Sequence, residues 1–206
     1  MNARNAEYVV FDVETTGLSA EGGDRIVEIA AVRVKGMKIV DTFESLINPE
    51  MALSEEVQRI HRITADMIAD APVAAEVLPK MIGFIAGACL VGHNIKFDLN
   101  FLCFHLSRLG RKLKDETPAI DTLKMAKELL PHLKSFKLPH VAHFLGVMSE
   151  VSHRALPDVK LTAKVMERLL DIADSRNINS FKELHKLFGV PKPKFPIEQV
   201  NHEFAF

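Results

Sequence analysis

Hydrophobic positions along the N-terminal part of the chain follow the pattern of β-strands. Residues 8–13 form a nearly unbroken β-favouring run, which is typical of a strand that is covered on both faces. Two further runs, at 25–34 and 38–47, are separated by a three-residue stretch that contains Gly36. This spacing indicates a hairpin with a short turn. We therefore expect three antiparallel strands at the start of the fold.

From residue 54 onward, most apolar positions recur at helical spacing. Ser54, Thr64 and Ser180 are suitable N-cap residues, and glycines follow several of the periodic segments. The pattern predicts helices at 54–60, 64–72, 73–86, 95–109, 122–130, 138–145, 156–173 and 180–188. Short apolar runs at 89–92 and 119–120 predict a fourth and a fifth strand. Strands followed by alternating helices and strands predict an α/β fold, with a mixed five-stranded sheet flanked by helices.

Length and charge limit the classes of protein that the chain can represent. Its 206 residues, 48% hydrophobic and 26% charged, suit one globular domain, which we place at 1–190. Residues 191–206 begin with three prolines in six positions and are expected to form an irregular tail. A formal net charge of −1 argues against a protein that coats long nucleic acids. It does not exclude an enzyme that binds a strand end, where metal ions supply positive charge.

Cysteine content and the N-terminus favour a soluble, cytoplasmic protein with no membrane contact. The two cysteines form no C-x-x-C pair and lie in apolar surroundings, as reduced core cysteines do. No apolar signal-peptide region precedes the first predicted strand, and no apolar run reaches membrane-spanning length.

The first cluster of candidate catalytic residues is Asp12 and Glu14, at the end of the first predicted strand. Residues two apart on a strand point to the same side, so the two carboxylates should lie side by side. Two ionised carboxylates in an apolar strand repel each other and are costly to desolvate. A Mg²⁺ or Mn²⁺ ion between them would remove this cost, because both metals prefer oxygen ligands. The alternative is an exposed strand end with solvated acids, which the flanking apolar residues disfavour.

Two further segments carry candidate residues that are less distinctive singly. Asp98 lies in the first turn of a predicted helix, where the helix dipole favours an acid without any function, and Asn94 could be a helix cap. His153 lies in the loop before the helix predicted to carry Asp158, and it could act as a general base beside a metal ligand. A lone histidine is more often a structural or surface residue.

Taken together, these segments resemble the DEDDh 3′–5′ exonuclease family. Residues 12–18 (DVETTGL) resemble the family's D-x-E-T-T-G-L signature, residues 93–98 its H-N-x-x-F-D, and residues 153–158 its H-x-A-x-x-D. Residues 60–64 are similar to its I-H-G-I-T segment, with Arg62 at the glycine position, and residues 121–123 resemble another recurring segment. Within the family, the chain is similar to the proofreading exonuclease (epsilon) subunits of bacterial DNA polymerase III.

The resemblance implies a ribonuclease H-like fold and a two-metal mechanism. The metal ligands would be Asp12, Glu14, Asp98 and Asp158, with Asp12 shared between two Mg²⁺ or Mn²⁺ ions and Asp98 acting on the second. His153 would take the proton from the attacking water. Substrate-binding residues would be Thr15, Thr16 and Gly17 in the turn after the strand, together with His61 and Asn94.

The expected substrate is a single-stranded or frayed DNA 3′ end, with an RNA 3′ end as a possibility that one sequence does not decide. The expected protein partners are a DNA polymerase or a sliding clamp, because residues 199–206 loosely resemble a clamp-binding peptide. The alternative function is a catalytically silent binding module that tethers such a partner through its tail. A degenerate module would be expected to lack at least one of the five catalytic residues, and this sequence retains all of them.

Overall fold

The computed structural model describes residues 1–148 and 154–197, and a mixed five-stranded sheet forms its centre. The strands lie in the order β3-β2-β1-β4-β5. β1 is antiparallel to β2, β2 is antiparallel to β3, and β4 is parallel to both β1 and β5. Their bounds are Glu7–Thr15 (β1), Ile26–Lys35 (β2), Lys38–Leu46 (β3), Cys89–Gly92 (β4) and Ala119–Asp121 (β5). The predicted sheet, with its first three strands antiparallel, is confirmed.

Eight helices of the described residues flank the sheet, preceded by a 3-10 turn at Ala3–Asn5. Their bounds are Glu55–His61 (α1), Ala65–Ile68 (α2), Ala74–Ile85 (α3), Lys96–Arg108 (α4), Thr122–Leu129 (α5), Leu138–Phe144 (α6), Ala155–Ser175 (α7) and Phe181–Phe188 (α8). The helix predicted at 64–72 is wrong in length, because α2 is a single turn. Thr64 makes no side-chain capping bond there, and Pro72 disfavours helical geometry at the residue before it.

β1 is longer than the sequence predicts. It continues two residues beyond Val13, because Glu14 pairs with Glu28 and Thr15 with Ile26 on β2. Asp12 and Glu14 therefore lie within a paired strand. The hairpin prediction holds, since Gly36 and Met37 have φ values of 54° and 62° and connect β2 to β3. Two positive φ angles are the requirement of a type I′ turn.

Alternate residues of β1 contribute to two separate hydrophobic layers. Tyr8 and Val10 pack in one layer with residues of α5, α6 and α7. Val9, Phe11 and Val13 pack in the other layer with residues of α3 and α4. Because side chains alternate along a strand, Asp12 and Glu14 continue the first series and face α7. The strand thus directs two carboxylates toward one helix and buries apolar side chains against another.

The described part of the tail, residues 191–197, has no helix or strand. The Lys192 ammonium group donates to the carbonyl oxygens of Lys114 (2.8 Å) and Asp115 (3.0 Å), and Phe195 packs edge-on against Phe104. The clamp-like segment predicted at 199–206 lies outside the described residues. No helix of the described residues is long and apolar enough to span a membrane.

Candidate active site

Three carboxylates that lie far apart in the sequence come together above β1. Ligand oxygens of Asp12, Glu14 and Asp158 all lie within 4.8 Å of one another, and each of the three residues is half-buried. Asp12 and Glu14 come from the same face of β1, and Asp158 comes from the first turn of α7. The structure therefore joins the first and the third of the predicted segments.

The N-terminal end of α7 is attached to the sheet by an ion pair between a buried carboxylate and a partly exposed guanidinium. Glu28 of β2 has no exposed surface, and it accepts hydrogen bonds from Arg154 Nη2 (2.6 Å) and Nε (3.0 and 3.1 Å). The backbone N–H of Ala155 also donates to Glu28, at 2.9 Å. Glu28 is the direct cross-strand neighbour of Glu14. The helix that carries Asp158 is thus held at the strand beside the one that carries the other two carboxylates.

Asp98 approaches the same region from the opposite side of the sheet. It lies in the first turn of α4, is 3% exposed, and its Oδ1 accepts a hydrogen bond from the Val13 N–H at 3.1 Å. Pairing between β1 and β4 reaches Val10 only, so β4 leaves the end of β1 free for this contact. The carboxyl end of parallel strands is where α/β folds commonly place their sites. Asp98 does not belong to the group of three, but its hydrogen bond to Val13 holds it beside the residue that separates Asp12 from Glu14.

Burial raises the pKa of each of these four carboxyl groups. Burial, together with the charges of Glu28 and Asp158, raises the pKa of Glu14 to about 7. Burial and the charge of Glu28 raise the pKa of Asp158 to about 6. For Asp12 and Asp98 burial is again the largest cause, and the pKa of both lies well above the usual range. Full ionisation of such a cluster without a counter-charge destabilises the folded state, because the buried carboxylates are desolvated and repel one another.

A divalent cation suits this arrangement of donors. Carboxylate oxygens are the ligands that Mg²⁺ and Mn²⁺ prefer, and no soft cysteine ligand belongs to the group. The two cysteines, Cys89 and Cys103, are free thiols that pack in the two hydrophobic layers. The residues present therefore fit hard divalent metal ions.

The predicted substrate-binding residues Thr15, Thr16 and Gly17 lie at the end of β1 and in the turn that follows it. Thr15 Oγ1 donates to the Gly17 carbonyl at 2.6 Å, and Thr16 Oγ1 contacts Asp24 Oδ1 at 3.2 Å. Asp24 Oδ2 accepts the Ser19 N–H at 2.9 Å. A Cβ atom added to Gly17 would overlap the Asp24 carboxylate, so only glycine allows this close approach. The turn is fixed beside the carboxylate cluster by its own side chains.

His61 is buried at the end of α1, with 1% of its surface exposed. Its Nδ1 accepts the Ile63 N–H at 3.0 Å, which leaves the proton on Nε2. Nε2 has no hydrogen-bond partner among the residues that the structure describes. Burial lowers the pKa of His61, and the charges of Glu28 and Arg154 also act on it. His61 is therefore a neutral hydrogen-bond donor, and its Nε2–H remains available to a ligand.

Asn94 lies in the loop between β4 and α4, and its backbone has a φ of 71°. The alternative that Asn94 caps α4 is wrong, because Ile95 occupies the N-cap position. The Asn94 N–H donates to Asp121 Oδ1 at 2.9 Å, and the same oxygen accepts the Leu123 N–H at 2.9 Å. Asp121 thus fixes the loop that leads into α4, and with it the start of the helix that carries Asp98.

The predicted general base, His153, lies outside the described residues. Three other residues, Glu28, Arg154 and Asp121, also lie around the site, and the sequence predicts no individual role for them. Glu28 had a signal in the sequence, since it is a lone acid in the apolar run 26–32. Arg154 lies inside the third segment, but only the structure shows which acid it contacts.

Sequence and structure comparisons agree on one family. The RNase T exonuclease family model matches residues 9–166. DNA polymerase III PolC-type of Caldanaerobacter subterraneus subsp. tengcongensis is 40% identical over 198 residues, which cover 95% of this chain and 14% of that polymerase. The corresponding polymerase of Bacillus subtilis is 38% identical over 182 residues, which cover 88% of this chain and 13% of the polymerase. The chain thus spans only a small part of the length of these curated relatives.

Solved exonuclease structures have the same fold. Exonuclease X, in complex with 5′ overhanging duplex DNA, superposes with a TM-score of 0.68 at 27% identity, over 87% of this chain and 98% of that one. The nuclease domain of 3′hExo, a DEDDh family member bound to rAMP, gives a TM-score of 0.71 at 22% identity, over 83% and 94% of the two chains. These likenesses confirm the ribonuclease H-like fold. Because the RNase T exonuclease model matches residues 9–166, which make up most of the chain, the chain belongs to the RNase T exonuclease family.

Proposed function

We propose that this chain hydrolyses the terminal phosphodiester at the 3′ end of single-stranded or frayed DNA and releases nucleoside monophosphates. The observation that carries the proposal is the convergence of Asp12, Glu14 and Asp158 within 4.8 Å. Membership of the exonuclease family supports it independently of the geometry.

In this proposal the carboxylates hold two divalent ions, Mg²⁺ or Mn²⁺. Asp12, Glu14 and Asp158 would hold one ion, and Asp12 and Asp98 would hold the second. The ions would stabilise the charge that develops on the attacking and the leaving oxygen atoms. The place of Asp98 supports its role, because its hydrogen bond to Val13 positions it next to both β1 carboxylates.

His153 takes the proton from the attacking water. An imidazole suits this role because its usual pKa is near neutral. His153 directly precedes Arg154 in the sequence, and Arg154 is the N-cap residue of the helix that carries Asp158. This adjacency supports the assignment.

Thr15, Thr16 and Gly17 bind the terminal nucleotide, and His61 and Asn94 contribute to the same pocket. The Nε2–H of His61 has no partner among the described residues, which supports its role, since a buried donor without a partner costs about 1–3 kcal/mol and a phosphate or sugar oxygen would remove that cost. The fixed turn after β1 supports the role of the two threonines and Gly17.

DNA is the substrate that we favour, because the curated relatives are DNA polymerases of the PolC type. RNA is the other possibility. On the same ground we propose a DNA polymerase as the protein partner, with a sliding clamp as the second candidate through residues 199–206.

The test is degradation of matched 5′-labelled DNA and RNA oligomers by the native protein and by Asp12→Asn, His153→Ala and Asp41→Asn. Asp41 is an exposed carboxylate on β3, so Asp41→Asn is the control for removal of a charge elsewhere on the sheet. We expect a ladder that shortens from the 3′ end in Mg²⁺ or Mn²⁺, and its loss in chelator and in the first two variants. If neither the DNA nor the RNA oligomer gives a ladder, the proposal is contradicted.

A further inference from the structure

Glu28 is a buried carboxylate beside the carboxylate cluster, and it is not one of the three residues that form the group. It lies opposite Glu14 in the register of β1 and β2, on the face that α7 covers. Both of its oxygens accept hydrogen bonds, from the Arg154 guanidinium and from the Ala155 N–H. Both carboxylate oxygens of Glu28 are therefore bonded to the first residues at the start of α7.

Fold stability alone is a weak explanation for this pair. Desolvation of the buried Glu28 carboxylate is costly, and well-packed apolar residues often stabilise a core equally well. An ion pair between Glu28 and Arg154 is better suited to fix one geometry, because the forked guanidinium meets a carboxylate in a defined orientation. The geometry in question is the position of the first turn of α7.

The contacts of the pair lead directly to Asp158. Arg154 is the N-cap residue of α7, and its carbonyl oxygen accepts the Asp158 N–H at 3.2 Å. One turn of helix therefore separates the residues that Glu28 holds from the carboxylate on α7. Glu28 also places a negative charge at the helix N-terminus, where the macrodipole favours it. A shift of this turn would move Asp158 away from Asp12 and Glu14.

We propose that Glu28 and Arg154 are a positioning pair that sets the Asp158 carboxylate in register with Asp12 and Glu14 for metal binding. The inference rests on the proposed function, since it assigns a role in the metal site of that function. Neither residue is a metal ligand; each acts through the first turn of α7.

The decisive measurement is the affinity of the protein for Mn²⁺ alone, by calorimetric titration without nucleic acid. The variants are Glu28→Gln, Arg154→Gln and Arg154→Lys, with thermal melting recorded for each. Glu7→Gln is the matched control, because Glu7 forms ion pairs with Arg33 and Lys35 at the opposite end of the same two strands. Groups that orient metal ligands typically contribute 10–100-fold to metal affinity. We therefore expect all three variants to bind Mn²⁺ about tenfold or more weakly, and Glu7→Gln to bind like the native protein.

Arg154→Gln separates positioning from simple electrostatics. Removing a positive charge beside a cation site should tighten Mn²⁺ binding if only charge matters, whereas loss of positioning should weaken it. Arg154→Lys keeps the charge but loses the forked geometry, so it should also bind weakly. Tighter binding by Arg154→Gln, or native affinity in the Arg154 variants despite lower melting temperatures, would overturn the inference. If the native protein itself binds no Mn²⁺, the proposed function fails at its metal site, which is a separate result.

Discussion

Asp98 Oδ1 accepts a hydrogen bond from the Val13 backbone N–H at 3.1 Å, so a carboxylate of α4 is attached to the residue between Asp12 and Glu14. This bond joins α4 directly to the backbone of β1. It gives Asp98 a structural contact in addition to its proposed role at the second metal. The two roles can be separated by substitution.

Asp98→Asn should retain the fold and lose the activity. The asparagine carbonyl can still accept the Val13 N–H, and one ionisable group is removed from a cluster of buried carboxyl groups that repel one another when ionised. Asp98→Ala should lose activity as well, and should also unfold more easily by about 1–3 kcal/mol, since it leaves a buried N–H without an acceptor. Thermal melting in chelator and cleavage of a labelled oligomer check both effects. Equal stability of the two variants would contradict the structural contact.

Metal-free protein should lose stability as the pH rises. The usual pKa values of Asp12 and Glu14 are 3.8 and 4.5, and the folded values are raised, to about 7 for Glu14. The folded state therefore binds more protons than the unfolded state within this window, so the free energy of unfolding falls from about pH 4 to about pH 7. Added Mg²⁺ or Mn²⁺ should stabilise the protein more at pH 8 than at pH 5, because ionised carboxylates bind the metal.

The matched control for this pH effect is Asp12→Asn, which removes one of the four carboxyl groups with a raised pKa. Melting temperatures in chelator should decline less steeply with pH in the variant than in the native protein. The difference between the two proteins isolates the cluster from histidines elsewhere, whose titration acts in the opposite direction when burial lowers their pKa. A native protein that gains stability relative to Asp12→Asn as the pH rises would contradict the assignment.

Much of the fold could be predicted from the sequence because the local signals agree with one another. The nearly unbroken β-favouring run at β1, the glycine turn at Gly36 and the capping serines Ser54 and Ser180 all act over a few residues, and each has its predicted role in the structure.

The parts of the site that could not be predicted depend on contacts between distant segments. Glu28 and Arg154 are 126 positions apart, and Asp98 and Val13 are 85 apart. Hydrophobic period and spacing indicate which face a residue occupies, but they do not indicate its partner across the sheet. The sequence indicates Asp121 only as part of a recurring segment, because its two hydrogen bonds to backbone N–H groups depend on where the 92–95 loop lies.

Gly17→Ala should weaken substrate binding more than it weakens the fold. The added Cβ would overlap the Asp24 carboxylate, which would have to leave the Ser19 N–H and the Thr16 hydroxyl. The turn would then loosen next to the carboxylate cluster, so we expect a raised KM for a single-stranded oligomer. Gly22→Ala in the same loop is the control, since its added Cβ would meet mainly the Ser19 side chain. An unchanged KM in Gly17→Ala would count against a role for this turn in binding.

Asp121→Ala should destabilise both the 92–95 loop and the start of α5. One carboxylate oxygen accepts the N–H groups of Asn94 and Leu123, and loss of an N-cap side chain costs about 0.5–2 kcal/mol. Asp121→Asn keeps an acceptor oxygen and should recover most of that loss. Melting temperature measures the capping effect, and KM measures the effect on the loop that contains Asn94. If alanine and asparagine behave alike, the two hydrogen bonds do not control this loop.

Arg62→Gly should make the protein slightly more stable. Arg62 ends α1 with a φ of 60°, in the left-handed region that costs a non-glycine residue roughly 1–2 kcal/mol. Part of the gain is offset, because glycine also increases the conformational freedom of the unfolded chain. We therefore expect a net gain of about 1 kcal/mol or less, which corresponds to roughly 2–4 °C in Tm for a chain of this size. Arg59→Gly, on an exposed position inside the same helix, should lower Tm instead, because glycine within a helix costs about 1 kcal/mol. A lower Tm in both variants would show that the Arg62 side chain contributes more than its backbone geometry costs.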